Sequence, residues 1–171
     1  MKAWGHLKKE GTAGNIIKEM TALWNRMMTG KIQVEQIFED SDLEIAFEIR
    51  RIVFILEQKV PEKEEFDEFD MECEHFLGYY GIDPAGTARM RITEKGVKLE
   101  RFAVLPEFRR KKVGSEILKR LIEEARLHKP EKIYLHAQTE VKRFYEKHGF
   151  VSEGEEFIEA DIPHIKMILI N

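Results

Sequence analysis

The hydrophobic and polar positions of the chain first form a helical pattern, over residues 15–29. Apolar side chains recur there at every third or fourth position and share one face of a helix, which Asn15 is placed to cap and which Gly30 follows. We interpret this segment as a helix that packs on the rest of the protein through its apolar face. A contact between two copies of the chain, as in a homodimer, is the alternative.

From residue 31 onward, the pattern predicts strands separated by helices. The apolar runs that predict strands cover residues 31–38, 75–82, 86–93, 97–104, 133–137 and 162–170. The tetrapeptide DPAG, residues 83–86, predicts the turn between the second and the third of these strands. Most of the predicted strands are therefore joined by segments long enough to hold a helix.

Three such helices are predicted. The first has Ser41 as its N-cap, Glu44 in a capping box and its end near Pro61. The other two cover residues 115–128 and 139–149, where apolar side chains again recur at helical spacing. This order of elements indicates an α/β (α+β) domain built around one mixed, twisted sheet that is flanked by helices.

Length and composition limit the architecture further. With 171 residues and 43% hydrophobic content, the chain is long enough for one well-packed domain and too short for two. We therefore expect an N-terminal helical extension over residues 1–30 and a single domain over residues 31–171. The single cysteine, Cys73, excludes an internal disulfide framework, and no apolar run approaches the length of a membrane span.

Charge and the N-terminal sequence bear on the location of the protein. A formal net charge of −4 argues against a general nucleic-acid-binding protein, because such proteins spread cations over a whole face. The N-terminus carries no apolar stretch followed by a small-residue cleavage site that would address the chain for export. We expect a cytoplasmic protein that binds neither nucleic acid nor membrane.

One basic run stands out against this negative charge. Arg109, Arg110, Lys111 and Lys112 are consecutive and lie between the predicted strand 97–104 and the helix after it. The N-terminal end of a helix favours anions, because its first backbone amides have no partner and its dipole is positive there. Four cations would oppose that dipole by about 0.3–1 kcal/mol each. They therefore predict a bound phosphate group, with a solvated basic face as the alternative.

The same stretch carries a longer motif. Residues 104–114 have the spacing V-x-P-x-x-R-x-x-K-x-G, which resembles the acetyl-CoA signature V-x-P-x-x-[QR]-x-x-G-x-G/A of the GNAT superfamily of N-acetyltransferases. Further blocks are similar to the ElaA/YjcF-like branch of that superfamily; they cover residues 51–70, 136–138, 144–150 and 157–167. The resemblance extends over residues 32–170. Lys112 departs from it, because it stands where the family has its first glycine.

The resemblance implies a GNAT fold and an acetyl-CoA-dependent N-acetyltransferase, without a metal, that moves acetyl to a primary amine by direct attack on the thioester. The acceptor is expected to be small and cationic. The cofactor would lie between the strands 97–104 and 133–137, with its pyrophosphate on the amides of the basic run. The residues expected to contact it are Phe102, Ala103, Val104, Arg109, Arg110, Lys111, Lys112, Val113, Gly114, Ser115, Gln138 and Phe144. The alternative is a catalytically silent acyl-CoA-binding sensor or regulatory domain.

Acetyl transfer needs an acid for the departing thiolate and a means of deprotonating the amine. The resemblance points to Tyr145 as the acid, and a phenol is fully protonated at neutral pH; the alternative is a packing residue on a short helix. The candidate bases are Glu57, Glu100, His136 and His164, and a water relay without a dedicated side chain is equally open. Strand alternation predicts that Glu100 and Arg101 point to opposite faces, so that only one of them faces the cleft.

An acidic stretch follows the first predicted helix of the domain. The resemblance places Glu65, Asp67 and Asp70 beside the acceptor site, where carboxylates would attract a cationic amine. The residues expected to contact the acceptor are these three together with Glu57, His136 and His164. The alternative is a solvated loop. Cys73 and His75 supply only half of a zinc spacing, and no calcium-loop pattern occurs, so we expect no metal site.

Overall fold

The computed structural model describes residues 16–18, 20, 21, 24 and 29–170, and its central element is one eight-stranded sheet. In chain order the strands are β1 (Ile32–Gln36), β2 (Glu74–Tyr80), β3 (Asp83–Thr93), β4 (Gly96–Val104), β5 (Ile133–Gln138), β6 (Phe150–Ser152), β7 (Phe157–Glu159) and β8 (Ile162–Leu169). They are arranged in the order β1-β2-β3-β4-β5-β8-β6, and β7 also pairs with β8. All neighbours are antiparallel except β4 and β5, which run parallel.

Helices cover both faces of this sheet. They are α1 (Asp40–Arg50), which continues as a π-helical segment (Arg51–Glu57), α2 (Glu62–Glu65), α3 (Val113–Leu127) and α4 (Lys142–Glu146), with 3₁₀ turns at Glu68–Met71, Pro106–Phe108 and Thr139–Val141. The larger core buries Ile117, Leu118 and Leu121 of α3 against one face. A second core buries Ala46 and Ile49 of α1 against the other. Each fully buried aliphatic side chain contributes about 1.5–3 kcal/mol, and the layered arrangement confirms the predicted α/β class.

The start of α1 differs from the sequence prediction. The helix begins at Asp40, with Glu39 as its N-cap and without a side-chain hydrogen bond at the cap. The predicted capping box of Ser41 and Glu44 is therefore wrong. Asp40 and Asp42 instead place negative charge in the first turn, where it interacts favourably with the positive end of the helix dipole.

The hairpin between β2 and β3 also differs. Tyr80 pairs with Asp83, so the connection consists of Gly81 and Ile82, and the DPAG tetrapeptide belongs to β3. Gly81 has a φ of +67°, which glycine adopts at little cost and which two-residue hairpin connections favour. The short strands β6 and β7 were not predicted, because three residues are too few to show an alternation.

The N-terminal segment is helical wherever the structure describes it. Residues 16–18, 20, 21, 24 and 29 are all in helical conformation, which agrees with the predicted helix; Asn15 lies outside the described residues. The apolar side chains of Ile16, Ile17, Met20 and Trp24 are exposed, and Trp24 retains 61% of its surface. The other apolar residues of the predicted face, Leu23, Met27 and Met28, lie outside the described residues, so the packing of this helix stays a prediction. None of the described helices combines the length and the apolar composition needed to cross a membrane.

Candidate active site

A cleft opens where β4 and β5 stop pairing. The two strands pair only between Val97–Leu99 and Ile133–Leu135, although both continue beyond. The cavity at this point has a volume of about 640 Å³, and the π-helical segment borders it. The predicted site residues that line it are Glu57, Glu65, Asp67, Glu100, Phe102, Val104, Arg109, His136, Gln138, Tyr145 and His164. The fold thus gathers the candidate acid, the candidate bases and part of the cofactor loop around one space.

The other predicted site residues do not line this cavity. Ala103 is buried in the core beneath α1, and Asp70 is buried among arginine side chains. The remaining residues lie in the basic loop, in the first turn of α3 or in α4. They are Arg110, Lys111, Lys112, Val113, Gly114, Ser115 and Phe144. Phe144 packs its ring against Tyr145 at 4.9 Å, so α4 connects this loop region to the cavity.

A β-bulge in β4 brings Glu100 and Arg101 to the same cleft. Arg89 pairs with Glu100 and Thr87 pairs with Ala103, so that two residues of β4 lie opposite one residue of β3. Arg101 adopts a φ of +55°, and both Glu100 and Arg101 line the cavity. The prediction that only one of them faces the cleft is wrong, because the bulge breaks the strand alternation on which it rested.

Two positive φ angles shape the basic loop between β4 and α3. Arg110 has a φ of +62° and Lys112 a φ of +68°, and α3 begins directly afterwards at the buried residue Val113. The Glu116 amide donates to the Lys112 carbonyl at 3.1 Å, as in a regular helical turn. The backbone amides of the residues just before Glu116 have no acceptor within the helix. Backbone concavities that bind anions are built from such turns. The loop therefore has the backbone form expected of an anion site.

Lys112 adopts this left-handed conformation where the resemblance expects glycine. The conformation costs a residue with a Cβ atom about 1–2 kcal/mol, and glycine escapes that cost. We expect Lys112→Gly to raise the free energy of unfolding by about 1 kcal/mol relative to Lys112→Ala, because both changes remove the charge but only glycine removes the strain. Urea unfolding of the two variants measures the difference. Equal stabilities would contradict the strained backbone.

Arg109 spans the mouth of the cleft instead of standing free beside the loop. Its guanidinium makes two hydrogen bonds to the Glu57 carboxylate, at 2.8 and 2.6 Å, and Nε donates to the Val104 carbonyl at 3.1 Å. The hydrogen bond from Arg109 lowers the pKa of Glu57. In a second bridge, Gln138 Nε2 donates to Gln58 Oε1 at 2.9 Å. Glu57 and Gln58, at the end of the π-helical segment, therefore connect it to the ends of β4 and β5.

The acidic stretch is tied to arginines from other parts of the fold. Arg50 contacts Glu65 and Asp70, both at 2.6 Å. Arg89 contacts Asp67 at 2.8 Å and also pairs with Asp70. Burial raises the pKa of Glu65 despite the opposing charge of Arg50. The acidic stretch thus forms mostly an internal ion network. Asp70 does not line the cavity, because Arg50 and Arg89 hold its carboxylate in the interior.

Sequence analysis missed the two arginines at the centre of this network, Arg50 and Arg89. Both are almost fully buried, with 1% of their surface exposed. A signal was present, because Arg50 follows Ile49 in a predicted helix and Arg89 lies between Ala88 and Met90 in a predicted strand. A charged residue at such a position needs buried partners of opposite charge, and the acidic stretch was available to supply them.

Glu100 is held by cations on three sides. Lys98 Nζ lies 2.7 Å from its carboxylate, Arg89 lies 3.1 Å away and Arg91 lies 3.3 Å away. Burial opposes the ionisation of Glu100, but the hydrogen bond from Lys98 and the charges of the arginines outweigh it and hold the pKa of Glu100 below its ordinary value. A carboxylate held in this way is a weak base, so the geometry argues against Glu100 as the group that deprotonates the acceptor.

Tyr145 occupies an aromatic pocket at the edge of the cavity. Its ring lies edge-on to Phe102, Phe144 and Phe150, with centroid separations of 5.9, 4.9 and 6.0 Å. Burial raises the pKa of the Tyr145 phenol. The proton therefore stays on the oxygen at neutral pH, and the ring is fixed by packing on three sides while still lining the cavity.

A pair of histidines and one carboxylate complete the wall formed by β5, β7 and β8. His136 Nδ1 lies 3.3 Å from Glu159 Oε2. The Phe157 ring packs edge-on against His136 at 4.9 Å and stacks on His164 at 6.0 Å. His164 Nδ1 lies 2.8 Å from the Ile162 carbonyl. Sequence analysis named both histidines but missed Glu159, although it stands in the block 157–167 that carried the family resemblance.

Comparisons with known proteins support the fold and the enzyme class that the sequence predicts. The sequence matches the family described as "Acetyltransferase (GNAT) domain" over residues 52–170. The uncharacterized N-acetyltransferase YjcF of Bacillus subtilis (strain 168) is 41% identical over 130 residues, which are 75% of this chain and 93% of YjcF. The crystal structure of Escherichia coli ElaA aligns with a TM-score of 0.73 at 27% identity, covering 82% of this chain and 100% of that chain.

A more distant structure contains a ligand. A GNAT family acetyltransferase from Elizabethkingia anophelis, solved with acetyl-CoA bound, aligns with a TM-score of 0.60 at 18% identity. The alignment covers 80% of this chain and 94% of that chain. At this level of identity the likeness concerns the fold alone.

Proposed function

This chain belongs to the GNAT acetyltransferase family, and from that premise we propose that it transfers acetyl from acetyl-CoA to a primary amine by direct attack of the amine on the thioester. The observation that carries the proposal is the cavity between the diverging ends of β4 and β5, with Tyr145 on its wall. A volume of 640 Å³ is typical of small-molecule sites, and we propose a small acceptor.

We propose that the basic loop holds the pyrophosphate of the cofactor. The backbone amides at the turns of Arg110 and Lys112 and at the start of α3 would donate hydrogen bonds to phosphate oxygens, and the exposed side chains of the loop would add positive charge. Gly114 leaves room beside them, since an added Cβ atom would meet only ordinary contacts, at 3.5 Å from Val104 Cγ2. The side chains of Ser115, Gln138 and Phe144 would border the cofactor farther along.

The pantetheine arm would extend along the unpaired part of β4. Backbone groups of Phe102 and Val104 would pair with its amides in the manner of an added strand. The Val104 carbonyl accepts a hydrogen bond from Arg109 in the structure described here. Binding would therefore exchange that hydrogen bond for one from the pantetheine arm, and the Arg109 guanidinium would be released toward the phosphates or kept by Glu57.

In this proposal Tyr145 protonates the departing thiolate. The phenol carries its proton at neutral pH, its ring is held by Phe102 and Phe144, and it lines the cavity in which the thioester would lie. Because burial raises its pKa, Tyr145 would act as a hydrogen-bond donor to sulfur first and would lose its proton only as negative charge develops there.

We propose a cationic acceptor in preference to an anionic one. Glu64 and Glu140 also line the cavity, so carboxylates remain there in addition to those tied into the arginine network. Negative charge around a cleft raises the local concentration of cationic ligands. Asp70 is left out of this proposal because it does not reach the cavity.

The test is release of CoA thiol from acetyl-CoA in the presence of polyamines, aminosugars and amino-acid amides. At least one amine should give acetylated product, and S-acetylpantetheine, which lacks the phosphates, should be a much poorer donor. A protein whose melting temperature rises with acetyl-CoA but which acetylates no amine would be an acyl-CoA sensor instead. Equal rates with both donors would contradict the role of the basic loop.

A further inference from the structure

His136 stands at the point where the cleft begins. The last pair between the two parallel strands joins Leu99 to Leu135, and His136 is the next residue of β5. Side chains alternate along a strand, so His136 points away from the core that contains Leu135. It lines the cavity on the same side of the sheet as Gln138. Of the two histidines in this cavity, His136 is the nearer in register to the apex of the divergence.

Glu159 determines which nitrogen of His136 carries a proton. The hydrogen bond from His136 lowers the pKa of Glu159 to about 2, against the opposing effect of burial, and the charge of Lys98 assists. An ionised carboxylate can only accept a hydrogen bond, so Nδ1 of His136 must be the donor across the 3.3 Å contact. In the neutral ring the lone pair then lies on Nε2, the other ring nitrogen.

From this geometry we propose that His136 is the general base that deprotonates the acceptor amine through Nε2, and that Glu159 is the positioning residue that orients its ring. The proposal rests on the function proposed above and names a group which that function left open. Phe157 packs edge-on against the imidazole, so the ring is held by a carboxylate on one side and an aromatic ring on another.

The protons and electrons of the transfer balance as follows. The acceptor ammonium gives one proton to Nε2 of His136, which later releases it to solvent. The neutral nitrogen forms the C–N bond at the thioester carbonyl carbon. The C–S bond breaks with its electron pair on sulfur, and the thiolate takes a proton from Tyr145. The second proton of the nitrogen, lost as the amide forms, restores the phenol.

Other charged or titratable groups surround this pair and have to be considered in its pH dependence. They are Lys98 and Glu100 on β4, Tyr134 on β5, and His164 and Lys166 on β8. Lys98 is engaged by Glu100, and Lys166 is engaged by Glu153. His164 shares the imidazole chemistry of His136, so variants of both histidines have to be measured side by side.

The first experiment does not depend on the acceptor. In the uniformly ¹⁵N-labelled protein, a long-range ¹H–¹⁵N spectrum reports the tautomer of each imidazole, and His136 is identified by the signal that His136→Gln removes. We expect the Nδ1–H tautomer for His136 at neutral to basic pH, and its loss in Glu159→Leu, which removes the acceptor for Nδ1–H. An Nε2–H tautomer in the wild-type protein would overturn the proposal, whatever the result of the amine assays.

The second experiment is kinetic and uses the best amine found with acetyl-CoA. His136→Gln is expected to lower kcat/KM about 10²-fold or more and to abolish the acidic limb of its pH profile. Glu159→Gln should lower it about 10–100-fold, the range for groups that orient a functional histidine. Glu159→Asp, which keeps the carboxylate, should restore much of the loss. Matched controls are His128→Gln and Glu124→Gln, which remove an imidazole and a paired carboxylate outside the cavity.

Hydroxylamine separates a base from a structural residue. It is largely neutral at the assay pH and needs no proton removed before attack, so the loss caused by His136→Gln should be several-fold smaller with hydroxylamine than with a basic amine. Equal losses with both, unchanged kinetics in His136→Gln, or loss of the acidic limb in His164→Gln instead, would each overturn the proposal. A wild-type protein that acetylates no amine would contradict the proposed function, while the tautomer still tests this inference.

Discussion

Tyr145→Phe is expected to lower kcat about 10²–10⁴-fold while leaving the affinity for acetyl-CoA close to that of the wild type. The change removes one oxygen and keeps the ring that packs between Phe102, Phe144 and Phe150, so the aromatic pocket should remain filled. Turnover under conditions where chemistry is limiting measures the first effect. Isothermal titration with acetyl-CoA and thermal unfolding measure the second.

The matched control is Tyr79→Phe, which removes a phenol oxygen from β2, outside the residues that line the cavity. Losing a merely structural hydroxyl hydrogen bond costs about 0.5–1.5 kcal/mol of stability and need not change turnover. If Tyr145→Phe behaves like this control and turns over amines at the wild-type rate, Tyr145 is a packing residue. His148, in the turn that follows α4, would then be the next acid to test.

Arg89→Met is expected to lower the free energy of unfolding by about 3–5 kcal/mol, the cost of removing one partner from a buried ion pair. Arg89 is almost fully buried and contacts Asp67, Asp70 and Glu100 together. Methionine fills most of the volume of the arginine side chain, but it removes the cation that these three carboxylates share. Urea unfolding at neutral pH measures the loss, and Lys119→Met, which breaks an exposed pair on α3, should cost about 0.5 kcal/mol or less.

The pH dependence distinguishes charge from packing in this variant. The pKa values of Asp67, Asp70 and Glu100 lie below their ordinary range, because hydrogen bonds and charges from arginines and Lys98 outweigh burial. Their contribution to stability is present above the ordinary carboxyl range and is lost as the pH falls through the lowered values. The difference between Arg89→Met and the wild type should therefore shrink at acid pH. A penalty independent of pH would indicate a packing defect instead.

The elements that sequence analysis predicted well are those whose pattern is long and local. The helix predicted over residues 115–128 is α3 (Val113–Leu127), because its apolar side chains repeat over four turns. The basic loop could be located for the same reason, since its motif is contiguous in sequence. In contrast, the bulge at Arg101 depends on how β4 pairs with β3, and no residue type in β4 indicates its position.

The ion pairs of the site could not be predicted in the same way. Asp67 meets Arg89 across 22 positions of sequence, and Glu57 meets Arg109 across 52. A sequence shows the sign of each charge but not which opposite charge the fold brings beside it. The acidic stretch was therefore interpreted as a surface that attracts cations, although arginines of the same chain already occupy most of it.

The wide turns after α1 affect how the chain tolerates insertions and deletions. The Gln58 amide donates to the Val53 carbonyl, five residues earlier, at 3.1 Å, whereas an α-helix would use a carbonyl four residues earlier. The hydrogen bonds of this segment reach one residue further than those of an α-helix, so the loss of one residue from Arg51–Glu57 can be absorbed by a return to α-helical winding. The tighter winding offsets the missing residue, and the side chains that follow keep nearly the same direction around the axis. The two bridges to the strand ends should therefore survive a deletion in this segment better than an insertion, which would require still wider winding.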